Sequence, residues 1–109
     1  MKYILITMTL VIALTACTPA PQNSPSADRQ ISRSELALHN TADDCWLAID
    51  GRVYDVTSYV VRHPGGAEQI TRGCGQDATQ LFATQGGQGS HSANAVSIRD
   101  SFIIGVLAD

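Results

Sequence analysis

The residues with the clearest chemical potential are two histidines, one in the stretch His63-Pro64-Gly65-Gly66 and the other, His91, in a Gly/Ser-rich loop downstream. Imidazole is a common axial ligand of haem iron, and two histidines separated by helices can bind one iron from opposite faces. Pro64 fixes φ and has no amide donor. Gly65 and Gly66 lack a Cβ, so the backbone can turn sharply and lie close to a flat ligand. Taken alone, the first stretch is equally well explained by a turn with a surface histidine.

Short segments in a specific order surround these two histidines. In chain order they are His39-Asn40-Thr41, Asp44-Cys45-Trp46-Leu47, Gly51-Arg52-Val53-Tyr54-Asp55-Val56-Thr57, Gly75-Gln76-Asp77-Ala78-Thr79, Phe82, His91-Ser92 and Phe102-Ile103-Ile104-Gly105. The whole series runs from about Ile31 to Leu107 and resembles the cytochrome b5 haem-binding domain. The resemblance implies a small α+β domain in which a mixed sheet and two helix pairs form a haem cleft. The segment from Thr84 to Ser90 is longer than is usual in that family.

The resemblance also implies roles for individual residues. It implies that His63 and His91 are the two axial ligands of a non-covalently bound haem b. It implies that Ser92 can hydrogen-bond a haem propionate. It further implies that five residues near the ligands line the pocket: Tyr59, Ile70, Phe82, Ile98 and Phe102. Ordinary core packing is the alternative for each of these five, and the two roles are compatible.

Two other ring-bearing residues are expected to have structural roles. Trp46 is expected in the core rather than in the pocket. His39 lies near a predicted helix end, and we expect it to be a capping or surface residue rather than a ligand.

Local patterns predict the elements that would position these residues. Asp50-Gly51 is a strong hairpin signal between two predicted strands, Cys45–Ile49 and Arg52–Asp55. Helices are predicted to begin at Ser32, at Thr57 or Ser58, at Ala67, at Asp77 and at Ser92, and a closing strand is predicted over Phe102–Leu107.

The first 16 residues have the pattern of a lipoprotein signal peptide. Lys2 precedes an apolar run from Ile4 to Leu14, which is shorter than the roughly 20 residues that span a bilayer. The run ends in Leu14-Thr15-Ala16-Cys17, which resembles the lipobox of bacterial lipoproteins, where the cysteine becomes the acylated first residue. An ordinary secretory signal with a chance cysteine is the alternative.

A Pro-rich segment follows the signal peptide. Residues 17–29 contain Pro19, Pro21 and Pro25 among small and polar residues, which predicts a disordered tether attached to lipid at Cys17. Residues 30–109 are then expected to form one haem-binding domain. The domain has no Lys and more Asp and Glu than Arg, which argues against nucleic acid as a partner. A basic protein partner and a merely soluble surface both fit this charge.

The remaining two cysteines form an even pair. With Cys17 attached to lipid, Cys45 and Cys74 would lie in an oxidising envelope compartment. In the fold that the resemblance implies, the two positions belong to adjoining elements, so we expect a disulfide between them, with two buried free thiols as the alternative. The sequence has no C-x-x-C-H motif, which argues against covalent haem attachment, and no C-x-x-C motif, which weakens zinc and thioredoxin-like interpretations.

Two imidazole ligands leave no iron position open for oxygen or a substrate, which suits one-electron transfer rather than catalysis. We therefore expect a monomer that exchanges electrons with a redox protein partner and is not an enzyme. We expect it on the periplasmic side of a bacterial envelope, with the outer membrane slightly preferred because Thr18, not Asp, follows Cys17. The alternative is a haem- or small-ligand-binding or sensing module without an electron-transfer role.

The lipobox pattern makes a direct prediction about the mature N-terminus. In the native protein Cys17 should be the first residue and should carry lipid, and intact mass spectrometry would detect both features. A Cys17→Ala variant should lack the lipid mass. A mature terminus at another residue, or an unmodified Cys17, would show that the lipobox interpretation is wrong.

Overall fold

The computed structural model of the protein describes residues 12–18 and 27–109. Residues 12–18 are exposed and form neither helix nor strand. The predicted signal peptide and tether also cover residues 1–11 and 19–26, and there the predictions lie outside the described residues. Within the two described ranges, no helix is both long enough and apolar enough to cross a membrane.

A mixed five-stranded sheet is the frame of the described domain. Its strands are β1 (Gln30–Ser32), β2 (Asn40–Thr41), β3 (Asp44–Ile49), β4 (Arg52–Asp55) and β5 (Ile103–Ala108). Their spatial order is β1-β5-β4-β3-β2, with β1 parallel to β5 and the other neighbours antiparallel. The predicted hairpin is confirmed, because Asp50 and Gly51 both adopt positive φ and bring Ile49 opposite Arg52.

Helical segments lie between β1 and β2 and between β4 and β5. They are α1 (Arg33–Leu36), a 3-10 helix (Thr57–Arg62), α2 (Ala67–Thr71), α3 (Thr79–Thr84) and α4 (Ala93–Asp100). The predicted starts at Ser32 and Ser92 are confirmed, since each hydroxyl oxygen accepts the N–H of the residue three positions on, at 3.1 and 3.2 Å. With the sheet, these helices give the α+β fold that the sequence predicted.

The caps predicted at Thr57 or Ser58 and at Asp77 are wrong in detail, because the N-cap residues are Val56 for the 3-10 helix and Ala78 for α3, and neither caps its helix through its side chain. Instead, an Asp-x-Thr segment ends at the first residue of each helix, Asp55–Thr57 for the 3-10 helix and Asp77–Thr79 for α3. In each, an aspartate Oδ1 accepts both the N–H and the hydroxyl of the threonine two residues later. The hydroxyl contact is 2.6 Å in both segments.

The two threonines join their helices to the hairpin. The hydroxyl oxygen of Thr57 accepts the N–H of Cys45 in β3, and that of Thr79 accepts the N–H of Asp50 in the turn, both at 3.0 Å. These partners are distant in sequence, so a pattern confined to the helix start could not reveal them.

The alternating side chains of β3 separate two hydrophobic clusters on opposite faces of the sheet. Cys45, Leu47 and Ile49 face the cluster that lies towards the 3-10 helix, α2 and α3. Ala48 belongs to a smaller cluster with Ile31, Leu36 and Val53, against which Trp46 packs. Trp46 therefore packs against the core, as expected.

His39 also lies on this second side of the sheet. Its ring stacks on Trp46 with centroids 3.5 Å apart, and its Nδ1 lies 2.7 Å from Oδ1 of Asp44. The side chain is only 23% exposed. It is thus a packed residue of the β2–β3 region rather than a simple surface residue.

A disulfide connects β3 to the end of α2. The structure confirms the expected pairing of Cys45 with Cys74, whose Cα atoms are 4.9 Å apart. The segment that follows runs alongside β3: the Gly75 N–H donates to the carbonyl of Trp46 at 2.6 Å. Gly75 has φ +79°, and a Cβ there would lie 2.6 Å from the Asn40 Cβ, so only glycine fits.

The disulfide should supply a large share of the domain's stability. Closing a loop with a sequence separation of 29 residues stabilises a protein by roughly 3–4 kcal/mol in the chain-entropy model. Reduction of a Cys17→Ser protein should therefore lower its melting temperature by about 12–32 °C, measured by circular dichroism. The Cys17→Ser/Cys45→Ser/Cys74→Ser variant should already melt at the lower temperature and should not respond to reductant. Two titratable thiols in unreduced, denatured Cys17→Ser protein would rule the disulfide out.

Asp77 should make stability depend on acid pH. Its hydrogen bonds from the Thr79 hydroxyl and then from the Thr79 N–H lower its pKa below the usual 3.8. Because the folded pKa is the lower one, this stabilisation is complete above about pH 4 and is lost as pH falls through the folded pKa. Denaturant titrations between pH 6 and 2 should show that the free energy of unfolding falls less steeply with decreasing pH in Asp77→Asn than in the wild type. Asp43→Asn, at an exposed turn carboxylate, is the control, and equal slopes for Asp77→Asn and the wild type would contradict the assignment.

Candidate haem site

A cleft of about 630 Å³ lies between the helices and one face of the sheet. All eight residues that the resemblance placed at the haem line this cleft: Tyr59, His63, Ile70, Phe82, His91, Ser92, Ile98 and Phe102. Leu47, Ile49 and Val56 form its floor on the sheet side. The volume falls within the range of small-molecule and cofactor pockets.

His63 ends the 3-10 helix at the edge of the cleft. Its own backbone is extended (φ −64°, ψ 124°), as the following Pro64 favours. The side-chain Nδ1 lies 3.0 Å from the carbonyl oxygen of Gly66. Gly66 adopts φ +93°, which brings that carbonyl back towards the ring. A Cβ on Gly65 would lie 3.0 Å from the His63 Cε1, so the Pro-Gly-Gly turn allows the ring to sit closely against the backbone.

His91 approaches the cleft from the loop after α3. Its Nδ1 lies 2.6 Å from the carbonyl oxygen of Phe82, and its ring stacks on the Phe82 ring at 4.0 Å with 4° between the planes. The glycine-rich loop before it folds back on Thr84, whose carbonyl accepts three successive N–H groups from residues 87–89. Gln85 closes the loop by donating its Nε2 to the carbonyl of Ser90 at 2.6 Å.

The two hydrogen bonds set the chemistry of both imidazoles. A carbonyl oxygen can only accept, so Nδ1 of each ring carries the proton. In the neutral ring Nε2 then holds a lone pair, which is the form that binds a metal. A backbone carbonyl on the second nitrogen is the usual partner of a metal-ligating histidine and fixes its orientation. Both rings are thus prepared as nitrogen ligands within one cleft.

Aromatic and aliphatic side chains form the walls between the histidines. Tyr59 makes an edge contact with His63, with centroids 5.9 Å apart, and packs on Phe102 at 5.4 Å. Ile70 is buried in the adjoining cluster. The hydroxyl oxygen of Ser92 accepts the Ala95 N–H, which leaves the hydroxyl proton free to be donated towards a ligand. These residues would suit a flat, largely apolar ligand that has a polar edge and a metal able to bind imidazole nitrogen.

Two arginines in the cleft lining were not predicted from the sequence. Arg72 and Arg99 line the cleft, whereas no Asp or Glu does so within the described residues. Arg99 follows Ser92 by seven positions and Ala95 by four, so helical spacing could have indicated the shared face. Burial raises the pKa of Tyr54, and the nearby Arg99 guanidinium acts in the opposite direction.

Comparison with known proteins agrees with this geometry. Residues 32–108 match the family model for the cytochrome b5-like haem/steroid binding domain. The chain is 40% identical to the soluble cytochrome b558 of Ectothiorhodospira shaposhnikovii, over 69% of the chain and 82% of that protein. The solved cytochrome b558 of Ectothiorhodospira vacuolata, described as a prokaryotic homologue of cytochrome b5, has a TM-score of 0.70 and 38% identity, and the match covers 72% of this chain and 98% of that one.

The chain belongs to the cytochrome b5 family of haem-binding domains, whose members are typically electron carriers rather than enzymes. Some members are fused to enzymes. The chain is 56% identical over 54 residues to the Delta(5) fatty acid desaturase A of Dictyostelium discoideum, but this match covers half of the chain and only 12% of the desaturase.

Proposed function

We propose that this chain is a one-electron carrier whose haem b is held non-covalently between His63 and His91. The observation that carries the proposal is the matched pair of hydrogen bonds from Nδ1 of each ring to the carbonyls of Gly66 and Phe82. Family membership supports haem as the ligand.

The residues around the histidines suit this role. When bound, haem b supplies an iron that alternates between the ferric and ferrous states. His63 and His91 would both hold the iron, which would leave no position for oxygen or a substrate. Tyr59, Phe82 and Phe102 exclude water from the faces of the ligand, and the Ser92 hydroxyl can donate to a carboxylate at its edge.

We further propose that the domain works as a monomer at the periplasmic face of a bacterial envelope, tethered through lipid on Cys17. The lipobox pattern supports this anchor, and Cys17 is exposed. A redox protein would then exchange electrons with the domain, with the reach of residues 17–29 setting where they meet. A sensing or ligand-binding role without electron transfer is less well supported, because both prepared imidazoles are present.

Haem ligation can be tested by replacing each histidine. The purified protein should bind one haem b and give a low-spin, six-coordinate absorption spectrum in both redox states. His63→Ala and His91→Ala should each open an axial position, so that the reduced protein binds carbon monoxide, and each should weaken haem binding by at least about tenfold. His39→Ala removes a histidine outside the cleft and should leave the spectrum unchanged. Ready binding of carbon monoxide by the reduced wild type would refute bis-histidine ligation.

A further inference from the structure

The cleft contains a shielded positive charge close to the His91 ligand. Arg99 lies on α4, and its side chain is only 18% exposed, whereas that of its ion-pair partner Asp100 is 56% exposed. Nε and Nη2 of Arg99 both donate to Oδ1 of Asp100, at 2.8 and 2.7 Å. The cation therefore lies on the inner side of the pair and the anion on the solvent side.

Aromatic rings connect this cation to the ligand. The guanidinium Cζ of Arg99 lies 5.0 Å from the centroid of the Phe82 ring, and the Phe82 and His91 centroids are 4.0 Å apart. The distance from the Arg99 Cζ to the centroid of the His91 ring is therefore at most 9.0 Å. The guanidinium also lies over the Tyr54 ring, with its Cζ 5.4 Å from the ring centroid, and Tyr54 is only 2% exposed. Water screens a charge at such a place only partly.

The charges around the cleft do not cancel this effect. Arg72, the other charged lining residue among those described, is also a cation. Asp100 opposes Arg99, but its greater exposure lets water weaken its field more strongly than that of the guanidinium. The cleft is thus locally positive although the chain has a net charge of −3.

We propose that Arg99 raises the reduction potential of the haem by disfavouring the ferric state. This inference rests on the proposed function. Ferric iron takes up one electron from a one-electron donor protein and becomes ferrous, with no bond broken and no proton moved. The ferric centre carries one positive charge more than the ferrous centre, so a fixed cation nearby destabilises the ferric state more. Arg99 acts through space on this difference and not as an iron ligand.

The test is a spectroelectrochemical titration of the holoprotein and its variants. Arg99→Gln should weaken the protein's affinity for ferrous haem, relative to its affinity for ferric haem, by about threefold to tenfold. This corresponds to a fall in potential of about 30–60 mV at 59 mV per tenfold for one electron. Arg99→Lys keeps the charge and should retain most of the wild-type potential. Asp100→Asn removes the opposing anion and should shift the potential upwards by a smaller amount.

Arg33→Gln is the matched control, because Arg33 is an exposed arginine of α1 that does not line the cleft. It should leave the potential unchanged. Reconstitution with haem dimethyl ester removes the haem carboxylates, and the difference between wild type and Arg99→Gln should persist there.

Three results would overturn the inference, provided that the low-spin spectrum is intact. The first is an unchanged reduction potential in Arg99→Gln. The second is a fall in potential in Arg99→Lys as large as that in Arg99→Gln. The third is that the wild type and Arg99→Gln have equal potentials when they contain haem dimethyl ester. The last result would mean that Arg99 acts as an ion-pair partner of a haem carboxylate. If Arg99→Gln fails to fold, Asp100→Asn provides the test. An upward shift in its reduction potential would support the inference, and an unchanged or lower potential would overturn it. A wild type without a low-spin haem would instead refute the proposed function itself.

Discussion

The proposed function depends on two hydrogen bonds, in which the Nδ1–H of His63 donates to the carbonyl of Gly66 in its own turn and the Nδ1–H of His91 donates to the carbonyl of Phe82 in α3. They fix both rings and keep both Nε2 atoms available for a metal before any ligand arrives. Because the rings need little reorganisation, they suit the proposed role as ligands of an iron that changes its oxidation state. Tight turns are needed on both sides, and the Pro-Gly-Gly turn and the glycine-rich loop supply them.

The sheet anchors the helices that lead into these two turns, and β3 is the strand on which most of the anchoring contacts meet. The Cys45–Cys74 disulfide and the Gly75 hydrogen bond to Trp46 fix the end of α2 to β3. The Thr57 hydroxyl fixes the start of the 3-10 helix to the same strand, and the Thr79 hydroxyl fixes the start of α3 to the adjoining turn. The 3-10 helix that ends at His63 and the helix α3 that contains Phe82 are thus both anchored to the β3–β4 hairpin.

Much of this arrangement could be predicted, because several signals are local. The Asp-Gly turn, the proline after His63 and the serine before α4 each act within a few residues. Other features depend on partners that are distant in sequence. The short strand β1 exists because Gln30 pairs with Val106, and the role of Thr57 depends on the N–H of Cys45. Helical spacing from Ser92 could have placed Arg99 on the cleft face, but its contact with the Tyr54 ring of β4 depends on a partner that is distant in sequence.

The central claim is that two imidazoles bind one iron, and electron paramagnetic resonance of the ferric holoprotein tests it most directly. Protein labelled with ¹⁵N only in histidine would allow pulsed measurements to count the nitrogens bound along the iron axis. Bis-histidine ligation predicts a single low-spin ferric species with two histidine nitrogens coupled to the iron. A high-spin signal, or coupling to only one histidine nitrogen, would contradict it.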